Sequence, residues 1–142
     1  VTRGEAALGV RVVSVHRLVQ DVVREGAGDE ACAACVASMV CLLPNHDHYQ
    51  TDYQRSAALG ELLRPHALSL LRRSRDEAAL RGGYEVWRKL TIHCGCTSRP
   101  AAGNVFADAC VAAAGDEPSE RLAAALHISG WVLNEQRRFD EA

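Results

Sequence analysis

The hydrophobic pattern changes its period within residues 11–24. Val12 and Val13 belong to a β-branched run, and branching at Cβ favours a short, half-buried strand. The apolar residues then recur three and four positions apart, which is the spacing of one helix face. They are Val15, Leu18, Val19, Val22 and Val23. Ser14 is placed to cap the first turn of that helix. The pattern therefore predicts a strand followed directly by an amphipathic helix.

Two more helices are predicted in the first half of the chain. One runs from Asp29 to about Leu43, and its apolar residues again recur at helical spacing. They are Cys32, Cys35, Val36, Met39, Val40 and Leu43. The next helix starts at Thr51 or Asp52, and Pro65 predicts a kink or a fresh start within it.

The second half of the chain has a less regular pattern. A turn at residues 81–84 precedes a helical segment, and residues 92–104 are interpreted as a loop. A short helix over residues 105–113 is expected to end at Gly115. Ser119 is placed to cap a last long helix.

These segments predict a mainly α fold, built as helical hairpins or a bundle with a short N-terminal β element. Hydrophobic residues make up 48% of the chain and aromatic residues only 5%, which favours packed helices with small side chains. Trp87 and Trp131 are interpreted as core anchors where helices meet. At 142 residues, the chain is long enough for one domain or pieces of two.

Charge and cysteine content narrow the classes of function. A net charge of −2 leaves no broad basic surface for nucleic acid. No signal peptide is apparent, and the longest apolar run, residues 31–43, is too short to span a bilayer. Six cysteines without a secretory signal are expected to be free thiols in the cytoplasm. Because the chain lacks an initiator Met and stops within a helical pattern, we expect it to be a fragment.

The sequence Val13-Ser14-Val15-His16-Arg17-Leu18-Val19-Gln20 resembles the end of the winged-helix domain in STAND regulatory ATPases of the NB-ARC type. In that family a hydrophobic-His-Asp motif closes the nucleotide-binding module. The resemblance implies that His16 contacts the β-phosphate of ADP bound by an upstream domain. Arg17 stands where plant members of the family have Asp, which leaves the role of that acidic residue unfilled.

The last segment carries a second resemblance. Its residues fall at the spacing of the first helix and turn of a tetratricopeptide repeat: Leu126, Gly130, Leu133, Phe139, Glu141 and Ala142. In such a repeat the glycine allows two helices to approach and the leucines fill the gap between them. Arg137 replaces the usual turn glycine, and the second helix of the repeat would lie beyond Ala142.

The two resemblances together imply three regions. Residues 1–25 would be the end of a winged helix, residues 26–117 a helical linker, and residues 118–142 the start of a tetratricopeptide repeat. The implied function is a regulatory segment that couples the nucleotide state of an upstream domain to a repeat array that senses a protein ligand. Neither nucleic acid nor a membrane is an expected partner.

Catalysis by this segment is not expected. It lacks the glycine-rich P-loop that cradles phosphates, so ATP and ADP would belong to the parent protein. A Cys–His nucleophile could use Cys94 or Cys96, but the sequence indicates no base beside either thiol.

Two alternatives remain open. One is a helical domain stabilised by zinc through His93, Cys94 and Cys96, with His46 or His48 as a further ligand. Cys32 and Cys35 fit zinc less well, because they lie on the predicted apolar face of a helix. The other alternative is a plain α-helical protein-interaction module, which needs neither metal nor nucleotide.

Overall fold

The computed structural model describes residues 2–5, 11–14, 29–43, 53–73, 82–97 and 99–140. It contains two strands and five helices in this part of the chain. They are β1 (Thr2–Glu5), β2 (Arg11–Ser14), α1 (Asp29–Leu42), α2 (Tyr53–Arg73), α3 (Tyr84–Cys96), α4 (Pro100–Ala114) and α5 (Glu120–Asp140). The protein is therefore mainly helical, as predicted.

The two strands pair antiparallel, with Thr2 opposite Ser14 and Glu5 opposite Arg11. The helix predicted from Val15 to Val23 lies outside the described residues. A two-stranded pair occurs in many folds, so the winged-helix interpretation of residues 1–25 stays a prediction.

Helix α3 lies at the centre of the helical part. Nine of its 13 residues are buried, and the other four lie along one narrow side of the helix: Glu85, Arg88, Gly95 and Cys96. Helices α4 and α5 pack against α3 and against each other, while α1 and α2 contact α3 and each other. Because α3 is buried around most of its circumference, its polar side is narrow and its sequence shows only a weak amphipathic pattern.

Aromatic residues join α3 to its neighbours. Trp87 is fully buried, and its ring stacks on that of Phe106 from α4, with centroids 6.3 Å apart and planes 8° from parallel. Trp131 of α5 lies across Gly95, where an added Cβ would come within 2.6 Å of the indole. The prediction that both tryptophans lie at helix contacts is confirmed, although Trp131 is only partly buried.

The predicted ends of the last two helices are confirmed. Gly115 follows α4 with a φ of 84°, a backbone conformation that glycine adopts at no steric cost. The hydroxyl of Ser119 accepts a hydrogen bond from the Leu122 N–H at 3.1 Å, which satisfies one of the unpaired amides at the start of α5.

The interpretation of residues 92–104 as a loop is wrong. Helix α3 continues to Cys96, and α4 already begins at Pro100. The Thr97 N–H and hydroxyl both donate to the His93 carbonyl, at 3.0 and 2.8 Å, and so complete the last turn of α3. Pro100 suits the first turn of α4, where its missing N–H has no helical partner to lose.

Two predictions for the first half are only partly confirmed. Pro65 lies inside the continuous helix α2, so no second helix starts there, and the alternative of a kink stays a prediction. In α1 the predicted stripe is buried at Val36, Met39 and Leu43, but Cys35 is exposed. The buried face of α1 is narrower than the run of apolar residues suggests.

Among the described residues, no helix combines the length and apolar character needed to cross a membrane.

Candidate functional site

The side chain of Lys89, the only lysine in the sequence, is buried and points from α3 to the end of α1. Its Nζ donates to the carbonyl oxygens of Val40 at 3.0 Å and Leu43 at 2.9 Å. Carbonyls in the last turn of a helix have no partner within the helix and carry its negative dipole end. The lysine therefore satisfies two of these groups and holds α1 against α3.

Burial lowers the pKa of Lys89, because it disfavours the charged amine. The Glu85 carboxylate acts in the opposite direction, and the Arg88 guanidinium also lowers the pKa. The hydrogen bonds to α1 thus offset part of the free-energy cost of burying the charged amine. No structural role was predicted for this residue from the sequence, although a lysine that occurs only once in the chain was an available signal.

His93 is fully buried on another side of α3. Its Nε2 lies 3.3 Å from Oε1 of Glu61 in α2. Gly60 makes this approach possible, since an added Cβ there would come within 2.4 Å of the His93 ring. Helices α2 and α3 therefore pack together where Gly60 of α2 leaves room for the imidazole of His93 of α3.

Glu61 also binds two arginines, and we call Glu61, Arg64, His93 and Arg99 the Glu61 cluster. Oε2 of Glu61 lies 3.1 Å from Arg64 and 3.4 Å from Arg99, measured to a terminal guanidinium nitrogen in each case. Arg64 belongs to α2, whereas Arg99 immediately precedes α4. One carboxylate thus connects α2 to α3 and to the start of α4.

The cluster favours a neutral imidazole beside an ionised carboxylate at neutral pH. Burial lowers the pKa of His93, and the nearby Glu61 only partly opposes this shift. For Glu61, burial alone would raise the pKa, but hydrogen bonds from Arg64 and His93 and the charges of both arginines bring it below its usual value. The cluster therefore acts as an electrostatic contact between helices.

The thiol of Cys94, next to His93, is not activated for nucleophilic attack. It is fully buried, and burial raises its pKa to about 12. A reactive cysteine needs a lowered pKa that gives a thiolate near neutral pH. The geometry therefore gives no support to a Cys94–His93 nucleophile.

The three residues of the zinc hypothesis lie on one helix but in different surroundings. His93 faces Glu61, Cys94 is in the core, and Cys96 is exposed. In the described part of the chain, no group of three or more His, Cys, Asp or Glu side chains is arranged to hold a metal ion. His46 and His48, which could complete such a site, lie outside the described residues.

An open cleft of about 650 Å³ separates the start of α3 from the start of α5. Three of its four charged side chains, those of Glu85, Arg88 and Arg121, have partners. Arg88 binds Glu85 at 3.1 Å, and the Arg121 guanidinium lies 4.1 Å from the centre of the Tyr84 ring. The Tyr84 hydroxyl donates to the Arg121 carbonyl at 3.0 Å. The contacts between Tyr84 and Arg121 thus cross this cleft and hold α5 against α3.

The outer face of α5 carries an exposed apolar surface, which we call the α5 ridge: Ala123, Leu126, Gly130 and Leu133. Leu126 is 54% exposed and Leu133 is 50% exposed. The predicted role of Gly130 in a close helix contact is not seen, because no atom lies within 4 Å of an added Cβ. The opposite face of α5 is buried. The ridge therefore faces away from the helical core.

His16, the predicted phosphate-sensing residue, lies outside the described residues. Its position relative to any nucleotide stays a prediction.

The contact between Lys89 and the end of α1 can be tested with Lys89→Met, which keeps a long side chain but removes the hydrogen-bond donor. We expect a loss of about 1–3 kcal/mol in unfolding free energy, because two helix-end carbonyls lose their partner. Hydrogen exchange should accelerate most in residues 29–43. Arg72→Met, at an exposed position of α2, should change stability by no more than about 0.5 kcal/mol. Equal losses of unfolding free energy in the two variants would show that Lys89 does not stabilise the contact between α1 and α3.

The buried state of His93 predicts a dependence of stability on pH. In the unfolded chain the imidazole binds a proton below about pH 6.5, whereas the folded protein resists protonation until lower pH. Stability should therefore fall as the pH drops below about 6.5. His93→Phe should make the urea midpoint depend less on pH between about 5.5 and 7.5. An unchanged pH dependence in this variant would show that His93 is not responsible.

Comparisons with known proteins assign no family. A scan against protein-family models, a search of curated proteins and a search of solved structures each found no match to this chain.

Proposed function

We propose that this chain is a non-catalytic helical module that binds another helix along the α5 ridge. The observation that carries the proposal is the exposure of Leu126 and Leu133, 54% and 50%, on a helix whose opposite face packs against the core. Neighbouring exposed leucines are typical of surfaces that are covered by a partner. The polar residues of α3 and the Glu61 cluster, by contrast, are used in contacts between the protein's own helices.

The spacing of the ridge favours a helix as the bound element. Leu126 and Leu133 are seven residues apart, so they lie about 10 Å from each other along one side of α5. Gly130 lies between them and offers a shallow place for a side chain from outside. A second helix presents side chains at the same repeat and can interlock with this surface along its length. An extended peptide, with a repeat of two residues, would match it less well.

The contacts of α5 with α3 support this role because they hold the ridge in place. Val132 is buried on the inner face, and Trp131 lies across Gly95. A surface that is already ordered loses little conformational entropy when a partner binds.

The proposal can be tested with a labelled synthetic helix, about three heptads long, with alanine and leucine alternating along its apolar seam. Fluorescence anisotropy should show binding to the wild-type chain. Leu126→Glu and Leu133→Glu should each weaken it at least about 10-fold, since burial of one leucine contributes about 1.5–3 kcal/mol. Val105→Glu is the matched control, because Val105 is 45% exposed on α4, outside the ridge. Binding that is absent, or equally sensitive to Val105→Glu, would refute the proposal.

The resemblance to STAND ATPases supports a more specific proposal. The order of the two resembling segments, at residues 13–20 and 126–142, suits a segment between a nucleotide-binding domain and a tetratricopeptide array. The segment would then transmit the nucleotide state through its packed helices, and His16 would contact the phosphate of ADP.

This second proposal requires an upstream nucleotide-binding domain, and its test uses the protein that carries both. His16→Ala should accelerate release of labelled ADP, because the proposed phosphate contact is lost. His66→Ala, at an exposed position of α2, is the control and should not. Unchanged ADP release in His16→Ala would rule out the sensing role.

A further inference from the structure

We infer that the helix bound at the α5 ridge is α5 of a second copy of this chain, antiparallel to the first. The inference rests on the proposed function and names its partner. It follows from the sizes of the ridge residues and from their order along α5.

The ridge alternates small and large residues at seam spacing. In sequence order they are Ala123, Leu126, Gly130 and Leu133, separated by three, four and three positions. Such spacing keeps all four on one line along a helix that packs against a neighbour. Because they are exposed in the single chain, a second helix can reach every one of them.

An antiparallel copy matches each large residue to a small one. When a two-fold axis crosses the ridge at the level of Ile128 along the helix, Leu126 faces Gly130 of the second copy, and Leu133 faces its Ala123. The same pairs recur on the other side of the axis, so the surface is complementary to itself, as a two-fold dimer requires. In a parallel pair glycine would face glycine, and the resulting void would lose packing contacts.

A single pair of helices gives an interface at the small end of the specific range. We therefore expect a reversible dimer, with a dissociation constant on the order of 10 μM. The synthetic helix of the preceding test and the second copy would compete for the same residues.

Sedimentation velocity of the chain, over about 1 to 500 μM, tests the inference. The wild type should shift from monomer to dimer with concentration, and Leu126→Glu and Leu133→Glu should weaken dimerisation at least about 10-fold. Val105→Glu, on α4, should dimerise like the wild type. Circular dichroism of each variant checks that the exposed substitutions leave the fold intact.

The size of residue 130 tests the orientation. Gly130→Leu should weaken the antiparallel dimer, because the new side chain would meet Leu126 of the other copy in a space that fits one leucine. In a parallel dimer the same substitution would fill the void between two glycines, so stronger dimerisation of Gly130→Leu would overturn the antiparallel arrangement.

The remaining outcomes separate the two proposals. A wild type that is monomeric throughout, but binds the synthetic helix at the ridge, would refute the dimer and leave the helix-binding function standing. The ridge would then serve another helix, such as one from a longer form of this chain. A chain that neither dimerises nor binds the synthetic helix would refute both. A dimer that only Val105→Glu disrupts would show that a different face associates.

Discussion

The burial of nine of the 13 residues of α3 is the constraint on which the helical part of the protein depends. Such a helix must satisfy its buried polar side chains without water, since an unpaired buried polar group costs free energy. The hydroxyl of Thr91 binds the Trp87 carbonyl within α3 itself, at 2.8 Å. Lys89 reaches the end of α1, and His93 reaches Glu61 of α2. The contacts of Lys89 and His93 also determine where α1 and α2 pack against α3.

The sequence predicted best those features that depend on local chemistry. The mainly helical class, the glycine after α4, the serine cap of α5 and the core position of Trp87 all follow from propensity, capping or side-chain size. The face of α1 was partly recognised from its spacing at Val36, Met39 and Leu43. These signals lie within a few residues of one another, so they can be detected without knowledge of the fold.

The features that the sequence did not reveal depend on contacts between distant residues. Residues 92–104 were interpreted as a loop because a helix that is buried on most sides shows little amphipathic period. Lys89 meets its acceptors 46 and 49 residues earlier in the chain, and His93 meets Glu61 at a separation of 32. Gly130 was expected to allow a close helix contact, but in the single chain it faces open space. Only the three-dimensional structure shows whether such a residue contacts another helix of the chain or lies on an exposed surface.

The placement of Lys89 has a consequence for chemical modification. With the amine bound to α1, the folded protein presents no exposed lysine side chain to an acylating reagent or an enzyme that modifies lysine. Separation of α1 from α3 would expose the amine. The extent of acylation at Lys89 therefore measures how often this one helix contact opens, and no label has to be introduced to observe it.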